Sequence, residues 1–325
     1  MTRKGSGDDN LTAPTQTARP PLPEGEAIAD LWYIPPTPQF PKRWLVYSGD
    51  FVLAALQGCA AERHMVQRTP FWLAVAGLVL GGMAVMQATI MFLAYIPVIK
   101  WFVEIAARVF TRNSFGFFLR ACYWKARLKE LGQDTIIDQF VDIWGASNVS
   151  IGSQCHINTN VRMAAGEAKH GQHGSIVIGN FVHVGPNVHI AGRGGVEIGD
   201  FAGIMAHAHL YSATGVIEKP EDPGQLVSMS HMAPPDQQHI VEGPIVIEPY
   251  ALVGMMARIM PGVRIGKGAI VHSNAELTKD VPPFANFGGI PRGKLIGWRR
   301  PRRRSAKLSA PTDGASAQTG GSAHG

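Results

Sequence analysis

Residues 243–280 read GPIVIEPYALVGMMARIMPGVRIGKGAIVHSNAELTKD. Within this stretch an aliphatic residue returns at every sixth position: Ile247, Val253, Ile259, Ile265, Val271 and Leu277. Four residues after each of the first five comes a compact side chain, namely Ala251, Ala257, Val263, Ala269 and Ala275. A period of six suits a chain whose flat faces are about one six-residue segment long. Three such segments make a triangular rung that stacks one strand spacing above the last, with aliphatics in the shaft and small residues at the corners.

Working outward, the same spacing runs through Ile178, Val184 and Ile190 and then Ile198, Ile204 and Leu210. Gly152, Gly179, Gly185, Gly199, Gly254 and Gly266 each follow an aliphatic directly. The repeat is clear from Val149 to Pro282 and predicts a mainly β domain over 136–297, a left-handed parallel β-helix. Two excursions interrupt it, over Met163–Ser175 and Val216–Gly243. Loops on a rigid scaffold commonly carry recognition. The longer one, with Glu218, Glu221, Asp222, His231, Asp236 and His239, is the expected home of much of an acceptor site.

Ahead of the repeat, no Asp, Glu, Lys, Arg or His occurs from Pro70 to Ile99. That run exceeds the about 20 residues needed to cross a bilayer, so a helical membrane-associated region is expected over 31–135, its hydrophobic segment at 70–99. Pro97 is placed to kink or end the helix. Lys100, Arg108, Arg112, Arg120, Lys125, Arg127 and Lys129 follow the run, against Lys42, Arg43, Arg63 and Arg68 before it. The bias predicts an inner-membrane protein with the repeat domain on the cytoplasmic side. Phe102, Ile105, Val109, Phe117, Phe118, Trp124 and Leu128 alternate with basic residues, which fits either a helix in the headgroup region or a helix packed on the repeat domain. The patch FVLAALQGCAA at 51–61 is too short to span.

Composition bounds the rest. The net charge of +6 arises largely from Arg299, Arg300, Arg302, Arg303, Arg304 and Lys307. Beside a membrane segment, such a run suits anionic lipid better than nucleic acid. Residues 1–30 are polar, show no apolar stretch of the signal-peptide kind and read as a disordered tail, as does 298–325 after its basic start. Cys59, Cys122 and Cys155 are too few and too scattered for a disulfide framework or a metal knuckle, and the twelve histidines form no compact ligand pattern, so no metal is expected.

Taken together, the repeat, and above all residues 243–296, resembles the hexapeptide-repeat acyltransferases, in particular the closing rungs and terminal loop of the sugar and xenobiotic O-acetyltransferases. The resemblance covers about 140 residues and implies a homotrimer with active sites between subunits, acetyl-CoA as co-substrate, and a glycan or lipid-linked sugar acceptor of surface polysaccharide assembly. It also implies a donor site on the last rungs, where Gly254, Ala257 and Gly262 allow a pantetheine arm close approach and Lys279, Arg292 and Lys294 meet the CoA phosphates. Met255 and Met256 stand where relatives carry smaller residues.

Acyl transfer needs a base for the acceptor proton, and histidine has the right unperturbed pKa. In the family the catalytic histidine follows a stretch like LYSAT; here Gly215 and Val216 follow it. The candidates for a substitute base are His209 and His207 in IMAHAHLYSATG and His231 in the long excursion, with His239 beside it. His156, His183 and His189 are read as outward side chains of the repeat. Two further readings are an inactive trimeric assembly module, which the missing histidine favours, and a carbonic-anhydrase relative, to which His183, His207 and His209 point.

Overall fold

The computed structural model describes residues 34–35, 38–40, 42–58, 66–166, 174–219, 222–288 and 294–298. Residues 1–30 and the basic run at 299–304 lie outside the described residues, as do Cys59, Arg63, Glu221 and Arg292.

The repeat folds as a three-sided prism of parallel strands. Successive short strands pass from one sheet to the next and return to the first one rung higher. The first face stacks Glu130–Leu131, Val149–Ile151, Ile176–Ile178, Val196–Ile198, Ile245–Ile247 and Arg264–Ile265. The third stacks Asp142–Trp144, Arg162–Ala165, His189–Gly192, His209–Tyr211, Arg258–Ile259 and Glu276–Leu277. The second, between them, runs from Ile136–Ile137 to Ala285–Gly288 and closes with Lys294–Trp298, its one antiparallel partner.

The period-six aliphatics fill the shaft. Ile204, Leu210, Ile247, Val253, Ile259, Ile265, Val271 and Leu277 are fully buried, and Ala251, Ala257, Ala269 and Ala275 are at most 1% exposed. The prism begins earlier than the repeat suggests. Leu131, Ile137 and Ile143 are buried in a first rung that starts at Glu130, within the segment expected to be helical. Met163 also belongs to the shaft, in the strand Arg162–Ala165, so the first excursion starts after Ala165 rather than at Met163.

Rung corners need residues in the left-handed region, and non-glycines occupy most of them. Phe181, Phe201 and Tyr250, with φ of 58°, 60° and 63°, form one corner. Their rings stack in sequence, 4.6 Å and 4.8 Å apart. Asn160, Asn187 and His207 line another corner, between the second and third faces.

Among the described residues, four α-helices lie below and beside the prism: α1 (Gly49–Leu56), α2 (Pro70–Leu93), α3 (Pro97–Val109) and α4 (Ser114–Arg127). The long apolar helix is not kinked at Pro97 but ends before it, at Leu93, and Pro97 opens α3. Segment 101–128 divides between α3 and α4, and the reading as a helix packed on the repeat domain holds for α4. On α3, Phe102, Ile105 and Val109 are exposed. On α4, Phe118, Cys122 and Trp124 are buried, as is Leu128 just after it, and the helix caps the open lower end of the shaft. A bottom rung leaves strand carbonyls without a partner below. Here Arg120 Nε donates to the Ile137 carbonyl at 2.7 Å and Lys125 Nζ to that of Leu131 at 2.5 Å.

Helix α2 is 24 residues long and is the one helix among the described residues long and apolar enough to cross a membrane. Phe71, Leu78, Val85 and Phe92 are exposed on it. Its buried Gln87 accepts from the Val46 amide at 3.0 Å and donates to the Trp44 carbonyl at 2.6 Å, which ties the helix to the segment below the prism.

Candidate active site

Alternation along each strand sends one residue into the shaft and the next outward. On the third face the outward positions form a column in register: Asp142, Arg162, His189, His209, Arg258 and Glu276. His209 therefore stands between His189 and Arg258. Its ring lies 6.1 Å from that of His189 and is parallel to that of Tyr211, and its Nδ1 is 3.4 Å from the Tyr211 hydroxyl.

Partial burial, then the positive charges of Arg258 and His207, hold the His209 pKa below 6.5. His189 is lowered by burial, His209 and Arg162. Both rings are thus uncharged at neutral pH. Tyr211 faces the His209 Nδ1, and Nε2 has no partner among the described hydrogen bonds. A cleft of about 570 Å³ opens beside the pair, lined by Phe140, Asn160, Arg162, Asn187, His189 and His209 among others.

His207 sits at an exposed corner with φ of 59°, its Nε2 3.5 Å from Asn187 Nδ2. It flanks His209 and contributes to its field. His231 is exposed in the long excursion, and no described hydrogen bond or ring contact joins it to either histidine. That excursion is an antiparallel arm: Ala213–Gly215 pairs with Ile240–Glu242, and Glu218–Lys219 pairs with Asp222–Leu226. Gly215 is thus a strand residue of the arm's base. Buried Ser212 anchors that base, its Oγ donating to the Ala191 carbonyl at 2.7 Å and accepting from the Gly194 amide at 2.9 Å.

The donor candidates differ among themselves. The Gly254 amide donates to the Val271 carbonyl of the next rung and the Ala257 amide to the Gly254 carbonyl within its own turn, so both are taken up by the backbone. A Cβ at Gly254 would lie 2.6 Å from the Ser273 nitrogen, so the glycine is required by rung spacing. Gly262, with φ of 78° and open space around it, has an amide without an acceptor among the described hydrogen bonds. Lys279 is exposed, and the Lys294 backbone pairs with Gly288 in the closing strand.

His156, His183 and His189 all occupy outward repeat positions, and of the three only His189 lines the cleft. His156 has a different partner. Its Nε2 lies 3.0 Å from Asp138 Oδ2, and Arg112 Nε donates to Oδ1 at 3.0 Å. Burial pushes the Asp138 carboxyl up, but the His156 hydrogen bond and the Arg112 charge outweigh it and hold its pKa below the usual range. The Cys122 and Cys155 thiols are pushed up to about 12 by burial and are not nucleophiles at neutral pH. No group of three or more metal-binding side chains occurs among the described residues.

Comparison with known proteins gives a consistent set. A dTDP-4-amino-4,6-dideoxy-D-glucose acyltransferase of Escherichia coli is 26% identical over 163 residues, 50% of this chain and 79% of that protein. A 2,3,4,5-tetrahydropyridine-2,6-dicarboxylate N-acetyltransferase of Staphylococcus aureus is 50% identical over 48 residues, 15% of this chain and 20% of the relative. Among solved structures, AntD, an N-acyltransferase from Bacillus cereus in complex with dTDP and 3-hydroxybutyryl-CoA, aligns with a TM-score of 0.46 at 21% identity over 54% of this chain and 86% of that one. A hexapeptide-repeat acetyltransferase from Vibrio cholerae, complexed with acetyl-CoA, aligns at 0.39 and 19% identity over 63% and 91%. No protein-family model matches the chain.

Proposed function

We propose that this chain, an acyltransferase of the hexapeptide-repeat type, takes an acyl group, acetyl in the simplest case, from acyl-CoA and passes it to the amino group of a nucleotide-linked sugar. The observation that carries the reading is His209, uncharged at neutral pH and standing beside an open cleft on the third face. The acceptor class is supported by the E. coli relative that aligns over 79% of its length. An amine acceptor is preferred to the hydroxyl expected from sequence because the S. aureus relative is an N-acetyltransferase and the E. coli relative acylates an amino sugar.

In this mechanism the acceptor nitrogen attacks the thioester carbonyl as His209 Nε2 takes its proton. A carbon–nitrogen bond forms, the tetrahedral intermediate collapses, the carbon–sulfur bond breaks, and the imidazolium returns the proton to the leaving sulfur. The products are an amide and free CoA. Donor binding on the upper rungs falls to the Gly262 amide and to Lys279, Lys294 and Arg292.

The same proposal includes the setting. The apolar surface of α2 and the cations that follow it support an inner-membrane protein with its prism facing the cytoplasm. A left-handed sense for the prism, a homotrimer, and a role in surface polysaccharide assembly, on a nucleotide-linked or lipid-linked sugar, belong with it. The rival reading, an inactive assembly module, is favoured by one observation: Gly215 and Val216 stand where the family histidine would be.

The test is thiol release from acetyl-CoA by the full chain in detergent, with dTDP-4-amino-4,6-dideoxyglucose as acceptor. Release matched by amide formation, and lost in His209→Ala, supports the proposal. Release with a 4-hydroxy sugar nucleotide alone would return the acceptor to a hydroxyl. Acetyl-CoA binding without turnover on either would favour the assembly module.

A further inference from the structure

We propose that the cleft below His209 holds the nucleotide of the acceptor, with Phe140 against the base and Arg162 on the phosphates. This rests on the nucleotide-sugar reading above and assigns residues to it. The lining follows the rungs in order: Phe140 and Asp142 on the first, Asn160 and Arg162 on the second, Asn187 and His189 on the third, His209 on the fourth. Strands in a sheet are spaced about 4.8 Å apart, so Phe140 and His209 sit about 14 Å apart along the prism. That is the scale of a nucleoside diphosphate sugar from its base to its sugar ring.

Each position carries suitable chemistry. Phe140 is 47% exposed at a corner with φ of 58°, where an unshielded ring offers a stacking platform for a base. Arg108 is held by Glu104 and Asp142, and Arg258 lies 3.9 Å from Glu276. Arg162 is exposed and has no acidic partner among the described residues, although it faces a neutral histidine. A planar guanidinium left open in a cleft suits a phosphate. Asn160 and Asn187 add amide donors on the adjoining corner. The volume, about 570 Å³, falls within the ordinary range for a small-molecule site.

CoA also carries a base and phosphates, so the experiment separates the two sources. The full chain in detergent is titrated calorimetrically with dTDP, with inorganic diphosphate and with acetyl-CoA. Arg162→Ala is expected to weaken dTDP and diphosphate about tenfold, the loss of one charge-assisted contact, and to leave acetyl-CoA binding unchanged, which also reports an intact fold. Phe140→Ala is expected to weaken dTDP about tenfold and spare diphosphate. If Arg162→Ala weakens acetyl-CoA instead, the cleft belongs to the donor and the assignment fails. If wild type binds dTDP and both variants bind it equally well, the placement fails while the acceptor class stands. If wild type binds acetyl-CoA but not dTDP, the acceptor class itself falls.

Discussion

His209 and His189 occupy the same outward position on adjacent strands, one rung apart, with ring planes at 84°. Burial lowers the proton affinity of both; His209 and Arg162 lower that of His189 further, and Arg258 and His207 that of His209. Replacing His209 by Ala is expected to reduce kcat by about a hundredfold or more while acetyl-CoA binding persists. Because the His209 pKa lies below 6.5, the acid limb of kcat/KM should also lie below that value. A limb at or above it would assign the base elsewhere.

The same shifts bear on stability. The pKa values of His183, His189 and His209 are all lowered in the folded state. As pH falls through 6.5 the unfolded chain binds protons first, so folded-state stability declines and the decline levels off below the folded values. The thermal midpoint should therefore be lower at about pH 5.5 than at about pH 7.5. An unchanged or higher midpoint on acidification would contradict the shifts.

Two glycines separate rung spacing from local conformation. Gly254→Ala drives a Cβ against the backbone of the next rung and is expected to lower stability by about 3 kcal/mol, at the upper end for overpacking. Gly262→Ala meets open space and should cost about 1 kcal/mol for its positive φ. Urea melts of the two variants measure the difference, and equal values would remove the distinction drawn between them.

Ser212 offers a third test. Its hydroxyl is fully buried and bonded at both ends, so Ser212→Ala leaves the Gly194 amide without its acceptor and is expected to cost about 1–3 kcal/mol. Hydrogen exchange should show Gly194 and the arm's base opening together. Protection at wild-type levels would mean that the hydroxyl does not hold the arm.

Much of the prism was legible because a shaft lined by Ile247, Val253 and Ile259 imposes a periodicity that few other folds require. Its first rung was not. Leu131, Ile137 and Ile143 keep the spacing, but they directly follow the apolar and basic stretch that forms α4. That stretch is amphipathic in the same way whether it lies on lipid or on protein, and its cations hid a role as caps for strand carbonyls. Arg120, buried with its Nε on Ile137, could not be told from a solvated charge. His209 could be nominated from its place before LYSAT, whereas His189 could not. Alternation shows that a side chain points outward, and only the cleft shows what it faces.

The arm leaves the prism at Ser212 and returns at Gly243, whose amide donates to the Ser212 carbonyl at 2.9 Å. Exit and entry are thus a single hydrogen bond apart, and the rungs above and below stack as if nothing lay between them. The prism works as a socket indifferent to what is plugged into it. Closing a longer segment there adds only about 0.6 kcal/mol for each doubling of length. The arm is therefore the place where this scaffold can gain, lose or exchange residues while the shaft stays the same.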